Sequence, residues 1–458
     1  MASLTYMKNK KIYLGALVIA IGGFLTKIAG AIYRVPLTAL LGAEGLGVYQ
    51  MAFPVYTLLL DLSSAGVPSA LARVIAKNEH KKEDYLKKAI VLFGSLGIIA
   101  TILMFLLSKP LAYFQGDVSS FYIYKVISPA VIFVALSACF KGYFQGQMKM
   151  YPTSLSQVFE QVVKIVVGLT IIYNADGIVN KVMGAGFAIV VSEFFALIFL
   201  ASIYVLKRRK NVVAFKRLDN FDMVTVSPKL TKKERFGEYK RLFYAVLPIT
   251  LLSIIFPLSH IIDSSLIINS LKKFTDSAVK EYGLYSGAVM SIVNLPVTVC
   301  YGLAVVAIPV IAKNGKGKNN VKLLILSTLI LSFLGAICVF AFSPLAVKIL
   351  FPTLLQKEKT LTISLIKALS PSIILMAILQ TTNSILIAKS KTKIPILSCL
   401  FGSILKIIIA KILLKMPSIN IFAMPIAVFF CYLLACFINL LYIVKYADKE
   451  NSSGKIHG

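Results

Sequence analysis

At 458 residues, 58% of them hydrophobic, the chain would need several domains to be soluble, yet no long polar segment appears in it. Its mean hydropathy of +0.83 lies far above that of a soluble domain. The formal charge of +30 would suit nucleic acid, but the basic residues cluster in short segments between apolar runs. That is the pattern of positive-inside topology, so the expected partner is the lipid bilayer and not nucleic acid.

About twenty apolar residues cross a bilayer as a helix. In chain order that ruler predicts about twelve spans, at 12–41, 46–74, 86–108, 122–141, 153–173, 182–206, 241–269, 284–312, 321–343, 361–388, 394–414 and 421–446. The N-terminus has a signal-like outline, with Lys8, Lys10 and Lys11 ahead of an apolar stretch. That stretch is too long for a signal core and lacks a small-residue cleavage site, so it reads as the first span. The six cysteines all fall inside apolar runs without metal-ligand spacing and read as small core residues. With no tryptophan, interface anchoring falls mostly to tyrosines such as Tyr13, Tyr113, Tyr122, Tyr151 and Tyr204.

Alternate connections are basic: 77–88, 207–218, 313–318 and 389–393. The opposite set, 42–45, 174–181 and 415–420, is short and less cationic, while 270–283 offsets three lysines with two acids. Both termini are then expected in the cytoplasm. The longest connection divides the chain into a six-helix lobe over 1–206, a basic cytoplasmic linker over 207–240, a second six-helix lobe over 241–446 and a tail over 447–458. Two equal helical halves are a common transporter plan, with substrate bound where the halves meet.

Several runs carry charges at mid-membrane depth, which costs roughly 3 kcal/mol each on insertion scales and marks a protein interior or wet cavity. In the first run Gly23, Lys27, Gly30 and Arg34 share one stripe. Two cations beside two glycines suggest an anion-binding face; snorkelling or a pair with Asp61 is the alternative. The fifth run presents Gln157, Glu160, Gln161, Lys164 and Gly168, with Glu160 and Lys164 spaced either for mutual neutralisation or for binding. In the seventh run Ser253, Pro257, His260 and Ser264 share a face beside Asp263. Asp263, like Asp61, is a candidate for coupling to a proton, to sodium or to the membrane potential, or else a packing residue. Ser291, Asn294, Thr298 and Tyr301 line the eighth run, near Pro296, as interhelical glue or as substrate contacts.

Catalysis is not expected. KNGKGK at 313–318 lacks the ending of a phosphate-binding loop, and the three histidines are scattered. No cofactor or metal is implied.

The stretch FLTKIAGAIYRVPLTALLGAEGLGVYQMAFPVYTLLLDLSSAGVPSALARVIAK at 24–77 resembles the opening of the stage V sporulation protein B family of polysaccharide-biosynthesis exporters. The blocks at 141–164, 290–309 and 391–409 are similar to later parts of the same family, so the resemblance spans nearly the whole chain. These proteins belong to the multidrug/oligosaccharidyl-lipid/polysaccharide (MOP) superfamily, which also holds the MurJ-type lipid II flippases. The resemblance implies two six-helix lobes around a central cavity, alternating access, and an undecaprenyl-pyrophosphate-linked sugar as cargo. It also implies cavity cations on the first helix, matching Lys27 and then Tyr33 or Arg34, of which Arg34 shares the Lys27 face. Where lipid II flippases carry an arginine in the second helix, this chain has Asp61 and Leu62. Enzymes of cell-wall or polysaccharide synthesis are the implied partners. A drug or metabolite exporter on the same fold is the nearest rival, and a membrane-embedded glycosyltransferase is the rival from another class.

Overall fold

The computed structural model describes residues 2–218, 232–313, 317–389 and 391–454. Every regular element among them is helical. The first half contains α1 (Ala2–Ser64), α2 (Val67–Lys77), α3 (Lys82–Leu106), α4 (Ser108–Gln115), α5 (Phe121–Ile127), α6 (Ala130–Gly146), α7 (Tyr151–Asn174) and α8 (Ile178–Leu218). The second contains α9 (Lys232–Leu271), α10 (Ala278–Gly283), α11 (Met290–Lys313), α12 (Gly317–Leu350), α13 (Gln356–Leu369), α14 (Ser372–Ala388), α15 (Lys393–Leu413) and α16 (Ala423–Gly454). A π-helical turn, Leu284–Val289, joins α10 to α11.

Among the described residues ten helices are long and apolar enough to cross a membrane, or eleven if α13 and α14, bent by 52° at Pro371, form one span. Pro371 has no N–H and its ring crowds the preceding turn, so the single helix expected over 361–388 breaks there. The expected connection at 42–45 shrinks to one residue. Gly42 (φ 67°) alone leaves the helical region, and its missing Cβ permits that conformation, so α1 is two rods joined at a sharp corner. The basic segment expected as a linker is partly an extension of its neighbours, because α8 runs on to Leu218 and α9 begins at Lys232.

Large apolar side chains cover the outside of the bundle, as bilayer contact requires. Leu106, Phe342 and Ile408 are among many that are at least half exposed. The interior holds one core around Leu37, Ala52, Ile127 and Val131 and another around Ile268, Ala288, Leu365 and Met424. The result is a helical membrane protein whose two lobes flank a central cavity.

Candidate functional site

The cavity has two chambers that share Arg34, Gln50, Phe53 and Asn294. The first holds about 320 Å³. Arg34 of α1 and Lys164 of α7 form its basic wall, and Ser291, Asn294 and Thr298 of α11 face them from the other lobe. Arg34 Nη1 donates to the Gly287 carbonyl at 3.1 Å. That carbonyl lies in the π-turn, where the regular ladder is interrupted and carbonyls accept outside donors. A guanidinium carries five N–H groups, so one such bond leaves the others available to a ligand.

Lys164 makes no direct ion pair among the described residues, although Glu160 and Glu193 both lie within electrostatic reach. The Tyr33 hydroxyl and Gln161 Oε1 also line the first chamber, buried and without hydrogen-bond partners among the described residues. A cavity that collects cations and orphaned polar atoms is furnished for a polar ligand.

The second chamber, about 410 Å³, adds Asp61 of α1, Pro257, His260 and Asp263 of α9, and Tyr282 and Tyr285. Asp263 does not stand alone. Its Oδ2 accepts from Lys406 Nζ of α15 at 2.6 Å and lies 3.3 Å from His260 Nδ1. Asp61 has no such partner among the described residues.

One end of the cavity is sealed between the lobes. Pro54 cannot donate to the carbonyl four residues earlier, so Gln50 O is left without its helical N–H. Tyr282 of α10 donates to that carbonyl at 3.2 Å. The next carbonyl, Met51 O, accepts from Gln115 Nε2 and from Tyr124 Oη, each at 3.1 Å. The same Gln115 Nε2 lies 2.7 Å from Ser264 Oγ of α9. Ser265 and Asn269 bond the Phe114 carbonyl, and Lys272 bonds that of Gly116. Beside this network Gly47 meets α10 at backbone contact: a Cβ there would lie 2.2 Å from Val279 O.

Of the residues singled out from sequence, Arg34, Lys164 and Asn294 thus meet around the first chamber, and Asp61 and Asp263 join Arg34 and Asn294 around the second. Glu160 lines neither of these two chambers; it accepts from Gln161 Nε2 at 3.2 Å. The side chains of Lys27 and Tyr301 lie outside the described residues. Lys406 and Glu193 belong to the charged interior; the first was not assigned a role from sequence, while Glu193 stands out there as a mid-membrane charge and a fallback position for ion coupling. A lysine within the run 394–414 and an unmatched aspartate within 241–269 were the available signal for the first.

Two helical lobes around a polar chamber define a multi-pass membrane protein with the fold of MOP-superfamily transporters. The chain belongs to the polysaccharide biosynthesis protein family, whose pattern it matches over residues 12–315. It is similar to stage V sporulation protein B of Bacillus subtilis, with 29% identity over 330 residues covering 70% of this chain and 60% of that protein. The chain therefore spans less than two thirds of that relative. It is also similar to the lipid II flippase MurJ of Bacillus subtilis, with 24% identity over 439 residues covering 89% and 78% of the two chains.

Among solved structures, an inward-facing multidrug resistance MATE family transporter superposes with a TM-score of 0.73, at 16% identity, over 96% of this chain and 99% of that one. A MOP superfamily transporter from Pyrococcus furiosus gives 0.69 at 16% identity, over 94% and 95%. These likenesses establish the fold.

Proposed function

We propose that the protein is a flippase that moves an undecaprenyl-pyrophosphate-linked cell-wall precursor or oligosaccharide across the plasma membrane by alternating access. The observation that carries this reading is the basic wall of the first chamber, where Arg34 and Lys164 face a cavity of about 320 Å³ without a contact-distance carboxylate on Lys164. Desolvated cations bind phosphate oxygens strongly, Arg in bidentate fashion. Asn294 and Ser291 opposite them offer neutral hydrogen bonds to a sugar or diphosphate. By its spacing alone Lys27 falls on the same helical stripe, two turns before Arg34. Under the positive-inside rule both termini face the cytoplasm, so the sealed end faces outside and the chamber loads from within.

A cation exporter on the same fold calls for free carboxylates on the cavity wall. Asp61 offers one, but the Asp263 carboxylate is engaged by Lys406. Asp61 and Asp263 remain the proposed ion-coupling positions of the second chamber, with no metal or organic cofactor required.

Depletion tests the reading. A flippase of this kind, once depleted, causes a lipid-linked intermediate to accumulate on the inner leaflet, identified by mass spectrometry. Unchanged lipid-linked pools together with altered export of a soluble compound would turn the assignment to the rival exporter.

A further inference from the structure

On the sealed side the first lobe turns a cation–aromatic face toward the bilayer. Ser108, Ala112 and Gln115 form the buried side of the short helix α4. Gln115 and the carbonyls of Phe114 and Gly116 hold α9 in the seal. Lys109 of α4 is exposed, and its ammonium sits 5.3 Å from the centre of the Phe121 ring at the start of α5. Lys125, one turn further along α5, sits 4.6 Å from the centre of the same ring and 4.9 Å from that of Phe105 near the end of α3. The two distances to Phe121 bound the separation of the ammonium groups at about 10 Å. Neither lysine has an ion pair or side-chain hydrogen bond among the described residues. The one acid within 108–128, Asp117, turns its Oδ1 to the Ser119 amide at 2.9 Å.

A ring face attracts a cation but does not neutralise it, so two ammonium groups sharing Phe121 keep two positive charges close together. Snorkelling alone would carry each lysine to water independently, whereas these converge on one ring. Below them α3 offers a path for an acyl chain. Ile99, Ile102 and Leu106 fall on one stripe of that helix, and each is at least half exposed. A soluble anion gains nothing from such a stripe. A zwitterionic headgroup would bring a third cation to a place that has no free acid to receive it. We propose that Lys109 and Lys125 bind the phosphate of an anionic phospholipid, whose acyl chains lie along the Ile99–Ile102–Leu106 stripe. The site faces the bilayer and is separate from the central chambers, so it does not depend on the identity of the cargo.

The test titrates phosphatidylglycerol and phosphatidylcholine onto the detergent-solubilised full chain and reads the first lipid bound by native mass spectrometry. Wild type is expected to prefer phosphatidylglycerol. Lys109→Gln and Lys125→Gln should each lower that preference about fivefold, the usual contribution of one lysine to binding an anionic lipid surface. Lys109→Arg should retain it. Lys415→Gln removes an exposed lysine elsewhere and should leave the preference at the wild-type level, which separates a local site from the effect of net charge.

If Lys125→Gln fails to accumulate, Lys109→Gln carries the test, because that side chain is exposed. An equal preference in wild type and both Gln variants would overturn the site. So would an equal loss in Lys415→Gln, which would reduce the effect to overall charge. Displacement of the bound lipid by glycerol phosphate at equal concentration would also overturn it, by making the site one for a soluble anion.

Discussion

Lys406 of α15 donates to Asp263 of α9 at 2.6 Å, and both side chains are at least 95% buried. The pair joins two helices far apart in sequence, and Asp263 also lines the second chamber. Loss of either partner leaves the other charge buried without its ion pair. Removing one side alone is therefore expected to cost about 3–5 kcal/mol, and replacing both by apolar groups far less.

Asp263→Asn and Lys406→Met are each expected to lower membrane abundance and melting temperature, and the double variant to recover most of both. The double variant is also the proper probe of ion coupling. If Asp263 couples an ion, the double variant still binds cargo but loses its dependence on the gradient or membrane potential in reconstituted vesicles. Unchanged dependence would move the search to Asp61, Glu160 and Glu193.

The seal yields a second prediction. Tyr282 caps a carbonyl that Pro54 leaves unbonded, so Tyr282→Phe loses about 1 kcal/mol from the sealed form, or about fivefold in the balance between conformers. Gly283→Ala is harsher, because its Cβ would lie 2.5 Å from Ala43 O and from Gly47 N. Thiol labelling of a cysteine placed at Glu44, in a background freed of native cysteines, should quicken modestly in the first variant and strongly in the second. The Lys280–Glu44 pair, at 3.8 Å and half exposed, is expected to contribute little, so its loss on placing the cysteine at Glu44 should leave the seal near wild type.

Helix positions were legible in the sequence because a bilayer imposes one length on every apolar run, and departures arise where single residues override that length. Gly42 turns a corner in one residue, and Pro371 breaks a span that hydropathy alone reads as continuous. Arg34, Lys164, Asp61 and Asp263 were legible because a charge inside such a run is costly and so stands out. What could not be read is how they combine. Arg34 meets a carbonyl of a π-turn that no residue pattern announces. The Tyr282–Gln50 contact depends on a lobe interface, for which Pro54 was the sole local sign. Lys406 was legible in kind and overlooked, since a lysine in one apolar run and an aspartate in another are natural partners.

Orientation has its own test. The cluster Lys207–Lys210 follows directly on an apolar run, while 270–283 is nearly balanced in charge, so 211 is expected inside and 276 outside. In intact cells an impermeant thiol reagent should modify Asp276→Cys and spare Asn211→Cys, with permeabilisation exposing the latter. The reverse pattern would invert the assignment and place the sealed end in the cytoplasm.

The basic wall gives the last prediction. Arg34 performs two tasks, since one N–H holds the Gly287 carbonyl and the rest of the guanidinium faces the chamber. A lysine there keeps the charge but supplies only a single ammonium centre, which cannot hold the π-turn and grip an anion in a fixed fork as well. Arg34→Lys is therefore expected to fold yet complement poorly in cells depleted of the endogenous protein, and Arg34→Ala not at all. Lys164→Ala should impair complementation while leaving abundance near normal, because no direct ion pair among the described residues is broken. Charged-ligand contacts of this kind are worth roughly 1.5–3 kcal/mol, so losses of about ten- to a hundredfold in cargo affinity should accompany either alanine variant. Full complementation by both alanine variants would remove the first chamber as the cargo site. Disappearance of both from the membrane would instead make these cations structural, with the Arg34–Gly287 bond holding the two lobes together.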